Sequence, residues 1–517
     1  MRKIRFLAVL TSLMAGMLMA AEQVGSAPEL VEADLCEILE IPSAVLGESL
    51  ICPVFVPAEL AASERRPALL LLPGDSAELD RLVASWSAGD LPQQDRAVLI
   101  VPRIDPDLQP ERAFAVVSEV MQLVGERYRI DPARLVLWGL GTAERQAFFA
   151  ARALPDKFAG IVAPSESVFA NRGLLAFALL DRKNQLAAVL SDPATYRGNL
   201  ANLRLLSGRG LPTRLTDIDQ RGWLDICRRV ADISARKSSE QCDVVFWIDR
   251  LRFAHCGIYQ MLGFRNWTLP AGIEGRRVTT GDGAIELHCS TRNVEILSIA
   301  VPKDIGAIEI DGNRIECTPG SSICLQFSGR RWKRIEPPAL VTSRKHPEAA
   351  GPLSDALFTP CVFVVGTLAD ADLMREWARA TAVELGMESV RILSDEEAMA
   401  GKEVLEGYSL ICFGGAERNR FVAEHFQKSL RDELDLELEG DGVALGYLRP
   451  SPFALDRYVV INEIPADAKS PAPARLDWPS DWLLYGSDKG RVLKYGSFDA
   501  EWKAEDFPDG DWDLLRP

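Results

Sequence analysis

The stretch Arg134-Leu135-Val136-Leu137-Trp138-Gly139-Leu140-Gly141-Thr142-Ala143 decides the fold. Its apolar first half predicts a buried strand, and the run of small residues that follows predicts a tight turn. Residues 144–154, rich in Ala and Phe, then predict a helix. Gly139 and Ala143 stand two positions either side of Gly141, where small residues let strand and helix approach closely. Working outward, residues 49–56, 67–72, 96–101 and 158–163 read as further strands. Residues 111–128 carry Val116, Val117, Val120, Leu123 and Val124 at helical spacing. Buried strands alternating with amphipathic helices imply an α/β domain with a mostly parallel sheet covered on both faces.

Cores stop growing near about 250–300 residues, so a chain of 517 residues holds two or three domains. From residue 250 to 336 short alternating strands take over, with Asp311-Gly312 as a hairpin turn, and a small β-sandwich is expected. Residues 337–353, punctuated by Pro337-Pro338, His346-Pro347 and Gly351-Pro352, read as a linker. Residues 354–517 return to alternation and predict a second, smaller α/β domain. The expected organisation is therefore a signal peptide at 1–21, an N-terminal segment at 22–48, the first α/β domain at 49–249, the sandwich, the linker and the last domain.

The leader assignment rests on Arg2, Lys3 and Arg5 preceding an apolar run from Phe6 to Ala20, with small residues at Ala20 and Ala21. That run is short for a membrane span, so a secreted or periplasmic chain with no span after cleavage is expected, with an uncleaved anchor as the competing reading. The formal net charge of −16 repels phosphate backbones and argues against nucleic-acid partners. Of the ten cysteines none forms a CxxC pair, which removes zinc-ribbon and thioredoxin readings. Cys317 and Cys324 flank a turn and are placed to bridge a hairpin; the alternative is that the cysteines are buried thiols.

The run Arg127-Tyr128-Arg129-Ile130-Asp131-Pro132-Ala133-Arg134, the strand and turn after it, and Ala153-Leu154-Pro155-Asp156-Lys157-Phe158-Ala159-Gly160-Ile161 together resemble the elbow region of secreted bacterial α/β-hydrolases of the esterase and prolyl-oligopeptidase-like kind. The resemblance covers roughly residues 49–167. More loosely, Gly351-Pro352-Leu353-Ser354-Asp355-Ala356-Leu357 and Arg457-Tyr458-Val459-Val460-Ile461-Asn462 are similar to C-terminal regions attached to large bacterial proteins of this type. In that family a strand, a sharp turn and a helix present a serine nucleophile. The resemblance places Gly141 at the nucleophile position, and glycine has no side chain to attack a carbonyl. It places the acid near residues 203–208, where Gly208-Arg209-Gly210 offers no carboxylate and Asp217 and Asp219 read as loop acids. The oxyanion segment reads Pro73-Gly74-Asp75: proline has no N–H to donate, Asp75 brings the wrong charge, and only the Thr142 N–H remains as a donor.

The four histidines, His255, His288, His346 and His425, all follow the first domain. His255 is the one candidate for a displaced base. Ser165 and Ser167 read as cap or loop hydroxyls. Gly414-Gly415 lacks the lysine of a nucleotide loop, and Trp478, Trp482, Trp502 and Trp512 read as packing residues before sugar platforms. The degenerate elbow Gly139, Gly141, Thr142 and Ala143 thus predicts an exported pseudo-hydrolase that binds without turning over. It needs no cofactor and no metal, and its partner would be a cell-envelope protein or polysaccharide. The alternatives are an active esterase or peptidase with displaced residues, and a structural component of the cell envelope.

Overall fold

The computed structural model describes residues 35–56, 65–74, 97–154, 157–158, 160–162, 185–190, 213–217, 242, 244–248, 250–269, 271–281, 283–401, 405–426, 428–434, 443–463, 474–476, 480–486 and 492–505. The leader lies outside them, as do Asp75, Ser165, Ser167, residues 203–210, Asp219, Trp478 and Trp512.

The first sheet has eight described strands: β1 Leu35–Ser43, β2 Glu48–Val56, β3 Arg66–Leu72, β4 Val98–Ile100, β5 Ile130–Gly139, β6 Gly160–Val162, β7 Gln185–Leu190 and β8 Thr213–Asp217. Their order is β1-β2-β4-β3-β5-β6-β7-β8. β2 runs antiparallel to β1 and β4, and the pairs from β4 to β8 are parallel. A mixed sheet with one reversed strand is therefore the frame of an α/β domain. Residues 35–43, expected to precede the domain, supply its edge strand; their apolar positions Leu39 and Ile41 are buried against the sheet core. In β3 the six residues after Arg66 are all buried, as a strand covered on both faces must be. Helix α1, Pro110–Tyr128, starts with Pro110 in its first turn and ends at Arg129, left-handed at φ 52°. Its Val116, Val117, Val120 and Val124 pack into the sheet core, each contributing about 1.5–3 kcal/mol on full burial.

The middle region forms two five-stranded sheets. One holds β10 His255–Cys256, β11 Tyr259–Phe264, β14 Val294–Ala300, β17 Ser322–Phe327 and β18 Trp332–Ile335. The other holds β16 Asn313–Glu316, β15 Ala307–Ile310, β13 Ile285–Arg292, β12 Ala271–Thr279 and β9 Val244–Ile248. β9 pairs with β12, so the sandwich begins before residue 250. Asp311 and Gly312, at φ 48° and 76°, make the two-residue hairpin turn between β15 and β16. Cys317 and Cys324 are not bridged; all nine described cysteines are free thiols. Burial pushes the Cys52, Cys289 and Cys361 thiols up to about 12.

The last sheet has the order β20-β19-β21-β23-β22-β24-β25-β26. Its strands are β19 Cys361–Val365, β20 Arg391–Ser394, β21 Ser409–Phe413, β22 Val443–Pro450, β23 Tyr458–Glu463, β24 Trp482–Gly486, β25 Val492–Phe498 and β26 Ala504–Glu505. It holds eight described strands, as the first sheet does. Half of it is antiparallel, because β22 to β26 are joined without parallel crossovers.

Residues 337–353 do not behave as a free linker. Lys345 is buried and donates to Asp481 at 2.5 Å and to the Phe498 carbonyl at 2.8 Å, and the Gly351-Pro352 peptide is cis. The short 3-10 helix Leu353–Phe358 is wholly buried. At its centre Asp355 takes bonds from Arg252 Nε at 3.2 Å and the Tyr458 hydroxyl at 3.0 Å, with Arg250 Nη1 at 3.7 Å. Arg250 also reaches Glu111 of α1 at 3.3 Å. Beside these charges Phe114, Phe149, Phe253 and Phe358 pack with ring centroids 5.3–6.3 Å apart. One node of charge and aromatic rings therefore joins the first sheet, the sandwich and the last sheet.

Candidate functional site: the strand–turn–helix at Gly139–Ala143

β5 runs into Leu140, a single 3-10 turn over Gly141–Ala143, and then helix α2, Glu144–Ala153. The Leu140 N–H donates to the Leu72 carbonyl at 3.0 Å, which ties the turn to the end of β3. Two glycines make this approach possible. A Cβ at Gly139 would lie 2.7 Å from Ala147 Cβ and from Glu144 Cα. A Cβ at Gly74 would lie 2.1 Å from the Leu140 carbonyl oxygen and 2.7 Å from the Thr142 nitrogen. Gly74 thus sits directly against the turn. Thr142 is exposed, and among the described residues its hydroxyl lies 3.4 Å from the Gly74 carbonyl. The left-handed non-glycine residues of the described chain are Arg129, Asn293, Asp311, Asp370 and Trp502; Leu140, Thr142 and Ala143 hold no such strain. A strand, a tight turn and a helix follow one another here, with Gly141 opening the turn.

All four histidines are described, and each belongs to a different setting. His255 is exposed on the short edge strand β10, opposite Gln260. His288 lies on β13 of the sandwich. His346 is buried in the segment that packs against the last domain. His425 ends helix α3, Arg420–His425, against Phe421 and Phe453. None is carried by an element of the first sheet. Asp217 is the last residue of β8.

The other sequence signals resolve into packing. Gly414 has φ 98°, and a Cβ at Gly415 would press on Glu463 Cγ at 3.0 Å, so this turn is closed down on a buried carboxyl. That carboxyl accepts from Ser429 at 2.7 and 2.8 Å and from Tyr447 at 2.7 Å; burial raises its pKa. Trp482 is fully buried. Trp502, left-handed at φ 61°, borders an open cleft of about 630 Å³ with Lys428, Glu433, Arg449 and Lys503. No metal ligands are expected from the sequence, yet the sandwich brings Glu286, His288 and Glu309 together, with one ligating atom of each within 4.8 Å of the others. The i, i+2 pair on β13 was visible in the sequence; its neighbour on β15 depends on strand register.

No family model matches the chain, and no curated protein matches it. Solved structures similar to it include a fluorophosphonate-binding serine hydrolase of Staphylococcus aureus, at 16% identity and TM-score 0.30, over 39% of this chain and 98% of that one. The enterobactin esterase of Shigella flexneri is 19% identical, at TM-score 0.30, over 40% of this chain and 60% of that one. An IroE-like serine hydrolase from Shewanella oneidensis is 14% identical, at TM-score 0.33, over 40% of this chain and 84% of that one. With its mixed sheet and reversed second strand, the first domain is of the α/β class.

Proposed function

We propose that the chain is an exported, catalytically inert hydrolase-fold protein that works by binding. The observation that carries this reading is the turn itself: its strand–helix packing is kept by Gly74, Gly139 and Ala143 while Gly141 offers no nucleophile. A serine mechanism also needs a base within about 2.6–3.2 Å of the nucleophile, and the four histidines are carried by the sandwich, its connection and the last domain. Export rests on the basic-then-apolar start of the sequence. The purified protein is expected to hydrolyse p-nitrophenyl esters no faster than buffer and to resist labelling by a fluorophosphonate probe. Gly141→Ser is expected to stay unlabelled as well, because a serine without a base is not activated. Labelling of Gly141→Ser, or ester turnover by the native chain that His255→Ala removes, would favour a hydrolase with displaced machinery.

A further inference from the structure

We infer that the outer face of the sandwich holds a divalent transition-metal site made by Glu286, His288 and Glu309. On β13, Leu287 and Cys289 point into the sandwich core, so Glu286 and His288 share the opposite face. β15 runs parallel to β13 with Glu309 in register with His288, and its Ile308 and Ile310 face the core. The three side chains therefore converge because of strand register alone, before any ion arrives. His288 Nε2 lies 3.6 Å from Glu286 Oε2 and 3.8 Å from Glu309 Oε2. These separations are too long for hydrogen bonds, and Nε2 is a buried atom without a hydrogen-bond partner. Ligand atoms about 2.0–2.2 Å from a tetrahedral zinc ion lie about 3.3–3.6 Å from one another, so a small inward movement completes the set.

The surroundings fix the ligands. Arg314, in register with Glu309 on the neighbouring strand, holds Glu286 Oε1 with Nε at 3.1 Å and Nη2 at 3.0 Å. That leaves Oε2 turned toward the imidazole, as an outer-shell partner of a ligating carboxylate does. Arg314 also pairs with Glu316, and Arg276 stands opposite His288 in register on β12. Two carboxylates offset the ion's charge, and one imidazole with two carboxylates suits zinc and its neighbours rather than calcium or copper(I). Three protein ligands leave a fourth position open to water.

The test uses the full mature chain, purified without a histidine tag, stripped by a chelator and titrated with zinc chloride against a chromophoric competitor. One zinc per chain is expected. His288→Ala and Glu309→Gln should each weaken binding at least tenfold, and Arg314→Met about tenfold or more through the loosened Glu286 carboxylate. Cobalt(II) should give a visible ligand-field band that His288→Ala removes. Because His288 and Glu309 point away from the core, the metal-free variants should melt with the native chain, which separates lost ligation from lost folding. Failure to bind stoichiometric zinc, or binding unchanged by His288→Ala, would overturn the assignment.

Discussion

Asp355 is the most exacting place to perturb the molecule. It is fully buried, with the Arg252 guanidinium at 3.2 Å, that of Arg250 at 3.7 Å and the Tyr458 hydroxyl at 3.0 Å. Burial pushes its carboxyl up, while the two guanidiniums and the hydroxyl pull it back. Asp355→Asn keeps the shape and one oxygen acceptor but removes the counter-charge. Arg252 then stays among Phe358 and Tyr458 without the Asp355 charge, and Arg250 loses Asp355 while keeping Glu111. Removing one member of a buried ion pair costs about 3–5 kcal/mol, and the retained oxygen places this variant near about 3 kcal/mol. At about 2–4 °C per kcal/mol for units of 150–250 residues, the melting temperature should fall by about 6–12 °C. Scanning calorimetry should show the loss in every transition, since the node touches all three domains. Pairing Asp355→Leu with Arg252→Met should recover part of the loss, because an apolar replacement of a whole buried pair is often neutral. A melting temperature for Asp355→Asn within about 1 °C of the native chain would mean that the acid is held protonated, and the ionic account of the junction would fail.

Two further outcomes are expected. Gly74→Ala forces a Cβ onto backbone atoms of Leu140 and Thr142 that cannot swing aside; strain of about 1–3 kcal/mol, plus about 1 kcal/mol for a weakened Leu140-to-Leu72 bond, should appear as a lower urea midpoint. His346 is buried, and burial holds its pKa below the ordinary 6.5. Below that pH the unfolded chain takes up a proton that the native state refuses, so stability should fall with decreasing pH, by at most about 1.4 kcal/mol per pH unit. His346→Asn should flatten that part of a stability profile taken from pH 7 downward; an unchanged slope would assign the effect to other groups.

The first sheet was legible where strands are buried on both faces, because runs such as Ala68 to Leu72 announce themselves without a partner. Residues 35–43 were harder. Cys36 and Ile38 face outward on an edge strand interrupted by Pro42, so only their pairing with β2 reveals them. The glycine in the turn is readable from spacing, whereas the steric reason for Gly139 and Gly74 lies in contacts with Ala147, Glu144, Leu140 and Thr142 that only the folded chain brings together. The node was not legible at all: Arg252 and Asp355 are separated by 103 residues, and Tyr458 by another 103. The ligand set on the sandwich was half legible, for the reason that alternation along one strand is a local property and register between strands is not.

Helix α2 is clamped at both ends by different parts of the chain. Its first turn grows out of Gly141–Ala143, against the Gly74 backbone; near its far end Phe149 sits among Phe114, Phe253 and Phe358. Ten helical residues make a stiff rod of about 15 Å. The far part of this rod is gripped by Phe253, from the start of the sandwich, and by Phe358, from the start of the last domain. Shortening the chain after residue 250 would remove Phe253 and Phe358 together, so a first domain made alone would hold this helix at its turn end without its second anchor.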